Sequence, residues 1–185
     1  MARLIYMTNT SLDGYIEDKS GAFDWENPEQ LHPLIIELLR PVGTYLYGRR
    51  LYEKMAYWDA PVESYAPEYR AFARIWQKPG KIVYSRTLTV VATRNTRVEH
   101  DFDADAVRDL KLKADHDITI GGAELAGVAF EADLVDECHL FVHPVLVGGG
   151  KAAFPADVRR KLELVDTHRI GTGVMHLHYR ITASR

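Results

Sequence analysis

The sequence predicts one α/β domain over residues 1–185, built on a mostly parallel sheet covered by helices with an antiparallel edge at the C-terminus. Three observations predict it. Strand-like and helix-like stretches alternate from the first residues to about Phe130. Three strand patterns end on residues suited to an anion: Gly48-Arg49-Arg50, Ser85-Arg86-Thr87 and Gly121-Gly122. The chain then finishes on two strand patterns, Leu162–Arg169 and Val174–Thr182, joined by the hairpin signal Ile170-Gly171-Thr172-Gly173.

The stretch Asp117–Leu125 is the pivot. Ile118 and Ile120 alternate with Thr119, as in a short buried strand. Gly121-Gly122 breaks that pattern, and Glu124, Leu125 and Val128 follow at helical spacing. Glycine leaves no Cβ in the path of a ligand, and a helix start offers N–H groups and a positive dipole end. Taken alone, the stretch reads first as an ordinary strand-to-helix turn, the commoner case for short glycine motifs.

The remaining elements follow in order. Arg3–Thr8 alternates and reads as a first strand. Asp13-Gly14 is a turn signal, Tyr15-Ile16 resumes extended structure, and Asp18–Gly21 is polar loop. Pro28 begins a helix with Leu31, Leu34, Ile35, Leu38 and Leu39 on one face; Pro41 and Gly43 end it. Thr44–Tyr47 is a short strand, and Gly48 opens a helix through Met55. Pro61–Pro67 is a loop and Glu68–Gln77 a helix. Pro79-Gly80 turns the chain into the strand Lys81–Ser85. Val90–Ala92 and Thr96–Val98 are short extended pieces, and Asp103 or Asp105 caps a helix through Lys113. A long apolar run, Val135–Val142, reads as a central strand and stops at His143-Pro144, and Val147–Lys151 is a flexible glycine loop leading to Phe154-Pro155.

Composition narrows the function classes. Hydrophobic residues make up 46% and charged residues 26%, ordinary globular values for a chain of 185 residues. The net charge of −3 gives no basic field for nucleic acid. No apolar run approaches a membrane span, and the N-terminus is too short and polar for a signal peptide. Cys138 stands alone inside an apolar run and reads as core packing; a reduced cytoplasm is the matching location.

Arginine suits phosphate because its planar fork is always charged, and three aligned arginine or glycine turns favour a nucleotide over solvated surface charges. Gly171-Thr172-Gly173 joins two strands, so it lacks the context of a dinucleotide fingerprint. His176 and His178 face one side of a strand, yet no cysteine or carboxylate at ligand spacing accompanies them. They and His139 and His143 read as core-edge histidines, and no catalytic metal is expected. There is no Gly-x-Ser-x-Gly elbow for a serine hydrolase. Asp13 is the one acid beside an early loop, as a turn residue or a substrate contact.

Together the elements Ser11–Ile16, Gly48–Glu53, Ser85-Arg86-Thr87, Gly121–Leu125 and Pro144–Gly150, in that order, resemble the dihydrofolate reductase-like superfamily. Within it the chain is most similar to the reductase domain of the riboflavin-biosynthesis deaminase-reductases. The resemblance implies a three-layer fold around a mixed sheet of eight strands, and NADPH as hydride donor. It places Gly48, Arg49, Arg50 and Gly121, Gly122, Ala123, Glu124, Leu125 on the cofactor phosphates, and Ser85, Arg86, Thr87 at the 2′-phosphate. Asp13, Trp25 and Lys151 become the substrate-side candidates, with Asp13 the candidate for proton delivery. The implied reaction is like that of 5-amino-6-(5-phosphoribosylamino)uracil reductase; folate reduction and a silent nucleotide-binding module are the alternatives. A cis Gly121-Gly122 peptide is also implied.

Two departures from the family pattern stand out. Leu51 takes a place where threonine is frequent. Gln30 and His32 follow Trp25 about where folate reductases carry a carboxylate, and the nearest acids, Glu29 and Glu37, do not match. Lacking that charged partner, a pterin would bind weakly. A homodimer is expected from the apolar surface of Val135–Val147 and from the pairing of related domains.

Overall fold

The computed structural model describes residues 1–25 and 28–182; the side chains of Pro28 and Glu29 lie outside the described residues. In chain order the elements are β1 (Leu4–Ser11), β2 (Tyr15–Asp18), α1 (Pro28–Leu39), β3 (Val42–Gly48), α2 (Arg49–Met55), α3 (Pro67–Gln77), β4 (Gly80–Tyr84) and β5 (Thr96–Glu99). They continue as α4 (Ala104–Lys113), β6 (Asp117–Gly121), α5 (Ala123–Glu131), β7 (Glu137–His143), β8 (Gly150–Ala152), β9 (Lys161–Ile170) and β10 (Val174–Thr182). Eight strands form the main sheet in the order β5-β4-β3-β6-β1-β7-β10-β9. The first six run parallel; β10 pairs antiparallel with both β7 and β9. This is the expected mixed α/β sheet with its antiparallel C-terminal hairpin.

Strand alternation gives the sheet two different faces. On one, Leu4, Tyr6, Leu46, Ile82, Ile118 and Ile120 pack under Val107 of α4 and Ala126, Ala129 and Phe130 of α5. On the other, Tyr45, Tyr47 and Val83 meet Leu39 of α1, Tyr52 of α2 and Phe72 and Trp76 of α3. Helices therefore cover both faces, as a largely parallel sheet requires. Asp103 caps α4, its carboxylate accepting from the N–H groups of Asp105 and Ala106.

Four expectations are corrected. Val90–Ala92 forms no strand: the Ala92 N–H donates instead to the Tyr52 hydroxyl at 2.8 Å. The peptide between Gly121 and Gly122 is trans, and no cis bond occurs among the described residues. Val135–Val142 is the central strand expected, and for that reason it does not offer the apolar surface expected for a dimer: β7 lies between β1 and β10 and buries Cys138, Leu140 and Phe141. The glycine loop after His143-Pro144 is partly ordered pairing. Gly150–Ala152 is β8, which pairs with β2 in a small second sheet.

That small sheet depends on a missing side chain. Gly150 has φ +143°, and a Cβ there would collide with the Glu17 carbonyl oxygen and lie 2.7 Å from Asp18 Cα. Gly150→Ala is expected to cost on the order of 2–4 kcal/mol, from backbone strain plus a backbone clash. Urea unfolding checks this; a loss near zero would mean that β2 and β8 are not paired in solution.

Candidate functional site

All six parallel strands end at one edge of the sheet. From β3 the chain moves outward to β4 and β5; from β6 it passes to the other side of β1 and enters β7. The order reverses between β3 and β6, the place where open α/β sheets form a ligand crevice. The two glycine turns lie there. A Cβ on Gly122, whose φ is +92°, would sit 4.0 Å from the Gly48 nitrogen, and one on Gly48 would sit 4.0 Å from Leu125 Cβ. A Cβ on Gly121 would collide with Leu51. Neither α2 nor α5 has a side-chain cap at its N-terminus. On α5 this leaves N–H groups for an anion.

The charged residues of the three turns also converge. Arg49 Nη1 donates to Thr87 Oγ1 at 2.6 Å and its Nε to Glu53 at 2.7 Å. Arg50 lies near enough to Glu124 to help hold that carboxyl below its usual range, after the larger effect of Lys151. Ser85 Oγ accepts from the N–H groups of Thr87 and Leu88 at 3.2 and 3.0 Å. Both hydroxyls thus act as acceptors and keep an O–H to donate. Arg86 is exposed and ion-paired with Asp101, a partner that the sequence reading did not anticipate.

Beside the glycine turns is a cavity of about 300 Å³ on the α1/α3 face. Leu31, Ile35, Leu39, Trp58, Phe72 and Phe141 give it an apolar, aromatic wall. Thr8, Asn9, Thr119, Tyr45 and Tyr47 supply polar groups. Gly121 and Leu51 line it too, so cavity and crevice adjoin. The Tyr47 hydroxyl accepts from Trp76 Nε1 at 3.1 Å, whereas the buried Tyr45 hydroxyl has no partner among the described residues. His143 Nε2 lies 3.1 Å from Asn9 Oδ1 and fixes that amide. No carboxylate lines the cavity among the described residues. Sequence reasoning missed this cavity, although its signals were present: alternating Tyr45 and Tyr47 opposite the apolar face of α1.

The three substrate-side candidates are not brought to the cavity. The Asp13 carboxylate accepts from the Gly148 and Val147 N–H groups at 2.8 and 3.2 Å, tying the β1–β2 turn to the loop after β7. The Ser11 hydroxyl and these N–H groups hold it below the usual carboxylate range, which suits an ionised brace rather than a proton donor. Trp25 is half-buried and its Nε1 is buried without a partner among the described residues. Lys151 pairs with Glu124 at 2.8 Å and Glu17 at 3.5 Å, beside the start of α5.

With that geometry in view, comparison with known proteins gives the class. Residues 2–176 match the model of the RibD C-terminal domain family, and the chain belongs to that family. It is 31% identical over 182 residues to the uncharacterized protein YyaP of Bacillus subtilis (strain 168), covering 96% of this chain and 94% of that one. Among solved structures, one from Shewanella sp. PV-4, provisionally assigned to riboflavin biosynthesis, superposes with a TM-score of 0.78 at 24% identity, covering 99% and 100% of the two chains. The deaminase-reductase of Thermotoga maritima gives a TM-score of 0.68 at 16% identity, over 98% of this chain but 57% of that one. These structures share the fold. No helix among the described residues is long and apolar enough to cross a membrane.

Toward the opposite ends of the strands, imidazoles crowd the same sheet face. His139 and His178 stack at 4.1 Å, and His139 Nδ1 lies 3.0 Å from His176 Nε2. Burial, reinforced by the neighbouring imidazoles, pulls His139 down to about 3 and His176 to about 4. An unfolded histidine titrates near ~6.5. Between those values the unfolded chain binds more protons than the folded one, so stability falls as pH drops through the window. The slope should approach about 1.4 kcal/mol per pH unit for each group, above the range where carboxylates titrate. Chemical unfolding from about pH 7 to about pH 4.5 tests this; a flat free energy there would contradict neutral buried imidazoles.

Proposed function

We propose that this protein is an NADPH-dependent reductase of a small heterocyclic substrate, of the type that acts in riboflavin biosynthesis. The convergence of the Gly48 and Gly121-Gly122 turns beside an apolar cavity, at the reversal of strand order, is the observation that carries this reading. The pyrophosphate would lie against these turns and the N-terminus of α5. The 2′-phosphate would meet Arg86 with the Ser85 and Thr87 hydroxyls. When bound, the cofactor would supply hydride; the protein's own part is to hold the reacting ring in the cavity and keep water from it. Membership of the RibD C-terminal domain family supports the reductase class, and the Thermotoga enzyme's description includes 5-amino-6-(5-phosphoribosylamino)uracil reductase. Folate reduction is the weaker reading, because no carboxylate among the described residues lines the cavity to pair with a pterin. Cofactor fluorescence on titration with NADPH, followed by absorbance with candidate substrates, separates an enzyme from a binding module that no longer turns over.

Arg86 is the proposed selector of NADPH over NADH. A 2′-phosphate must compete with Asp101 for an exposed guanidinium, which places the gain at the lower end of charge-assisted bonds, about 1.5 kcal/mol or roughly tenfold. Arg86→Ala should weaken NADPH by about tenfold and leave NADH nearly unchanged, whereas Asp101→Asn should tighten NADPH. Titration of both cofactors against the three proteins is the measurement. Equal losses for NADH and NADPH in the alanine variant would remove Arg86 from the 2′-phosphate.

The proposed assembly is a homodimer, through a different surface from the one expected. β9 is an exposed edge strand of 10 residues, with Leu162, Leu164 and Val165 at 43%, 52% and 42% exposure. Such an edge invites pairing with a second chain. Light scattering should give a dimer mass for the wild type and a monomer for Leu164→Arg; a monomeric wild type at micromolar concentration would overturn it.

A further inference from the structure

We propose that Glu137, His139 and His178 form a binding site for a divalent transition-metal ion of the zinc class, apart from the nucleotide crevice. One ligand atom from each of the three residues lies within 4.8 Å of the others, and the His178 Nε2–Glu137 Oε2 separation is 3.1 Å. Ligands around tetrahedral zinc, bound at ~2.0–2.1 Å, stand roughly 3.3 Å apart, so small side-chain rotations close the set. Two imidazoles and one carboxylate are a zinc donor set that leaves a fourth position open. Strand pairing fixes the arrangement: His139 lies directly opposite His178 between β7 and β10, and Glu137 precedes His139 by two residues on the same face.

The surroundings add what a metal site needs. His139 Nδ1 is engaged with His176 Nε2, which orients the ring and leaves Nε2 for an ion. Arg3 donates to both Glu137 oxygens at 3.0 and 3.2 Å and steadies the carboxylate, whose remaining lone pairs can still coordinate. His178, at 17% side-chain exposure, is the member closest to solvent. An ion held there would clamp β7 to β10 beside Met7, the cross-strand neighbour of His139 and part of the cavity wall.

The sequence argued against a metal because His176 and His178 have no carboxylate at local spacing. The carboxylate comes from 41 residues earlier in the chain, and His139 rather than His176 completes the set.

Zinc is the probe, added to untagged, chelator-stripped protein and read by competition with a chromophoric chelator. The wild type should take up one equivalent and unfold at a higher temperature with zinc than without. His178→Ala and Glu137→Gln should each weaken uptake at least about tenfold and lose the thermal shift. Unfolding in chelator shows that both variants fold. His168→Ala, which removes the exposed imidazole paired with Asp166 at 2.7 Å, should bind zinc as the wild type does. Cobalt in place of zinc should give visible absorption bands that disappear in His178→Ala. The proposal falls if the wild type takes up no more zinc than His178→Ala, or if Glu137→Gln binds as tightly as the wild type.

Discussion

Everything at the candidate site depends on how closely two backbones can approach. The β3–α2 and β6–α5 turns meet where the strand order reverses, and they meet without side chains. Gly121 has no room for a Cβ against Leu51, and Gly122 has a positive φ that other residues rarely adopt. A side chain at either place would push the turns apart. The approach does two jobs: it lets Leu51 reach the cavity wall from α2, and it brings the start of α5, which has no side-chain cap, to the crevice. Leu51, a departure from the family pattern in hydroxyl chemistry, is therefore explained as packing.

The two sheet faces divide the work. Under α4 and α5 the face is mainly apolar, with Tyr6, Phe130 and Phe154 in mutual edge contact, and Tyr6 donates to the Ala153 carbonyl at 2.7 Å. Under α1 and α3 it carries tyrosines, tryptophans, a threonine and histidines, and there the cavity opens. The second face buries Lys81, whose ammonium donates to the Pro79 carbonyl at 2.9 Å and lies 4.3 Å from the Trp76 ring centre, as α4 on the first face buries Lys111. Burial brings Lys81 down to about 8. Buried polar groups are costly unless paired. A face that keeps several of them, with the Tyr45 hydroxyl unpaired among the described residues, is shaped for something other than maximal stability.

What was legible in the sequence was local. Ile118 and Ile120 before Gly121-Gly122, the apolar face of α1 and the glycine pair in the final hairpin each carry period and punctuation in a short window. The order of the strands is not written in any one window, and the site comes from that order. Arg49 meets Thr87 across 38 residues and Glu137 meets His178 across 41. No spacing rule predicts either pair. Val135–Val142 is the central strand its apolar run suggests, yet the run does not say that β1 and β10 cover it and leave it little surface for a partner. Asp13 is likewise tied to residues remote in sequence, accepting from the Val147 and Gly148 N–H groups.

The histidines show how one face can serve two demands. Toward the C-terminal ends of the strands, His143 braces Asn9 at the cavity. Toward the other ends, His139, His176 and His178 stack against one another with Glu137 and Arg3 beneath. Aliphatic residues would fill that space at lower desolvation cost, as buried ionic clusters replaced by apolar groups show elsewhere. Retaining imidazoles there makes the fold sensitive to acid and gives it lone pairs in a fixed array. Because β10 supplies His176 and His178 while β7 supplies His139 and His143, whatever sets the pairing of these two strands acts at both ends of the face. The link between the histidine cluster and the cavity is thus the rigid β7–β10 ladder itself.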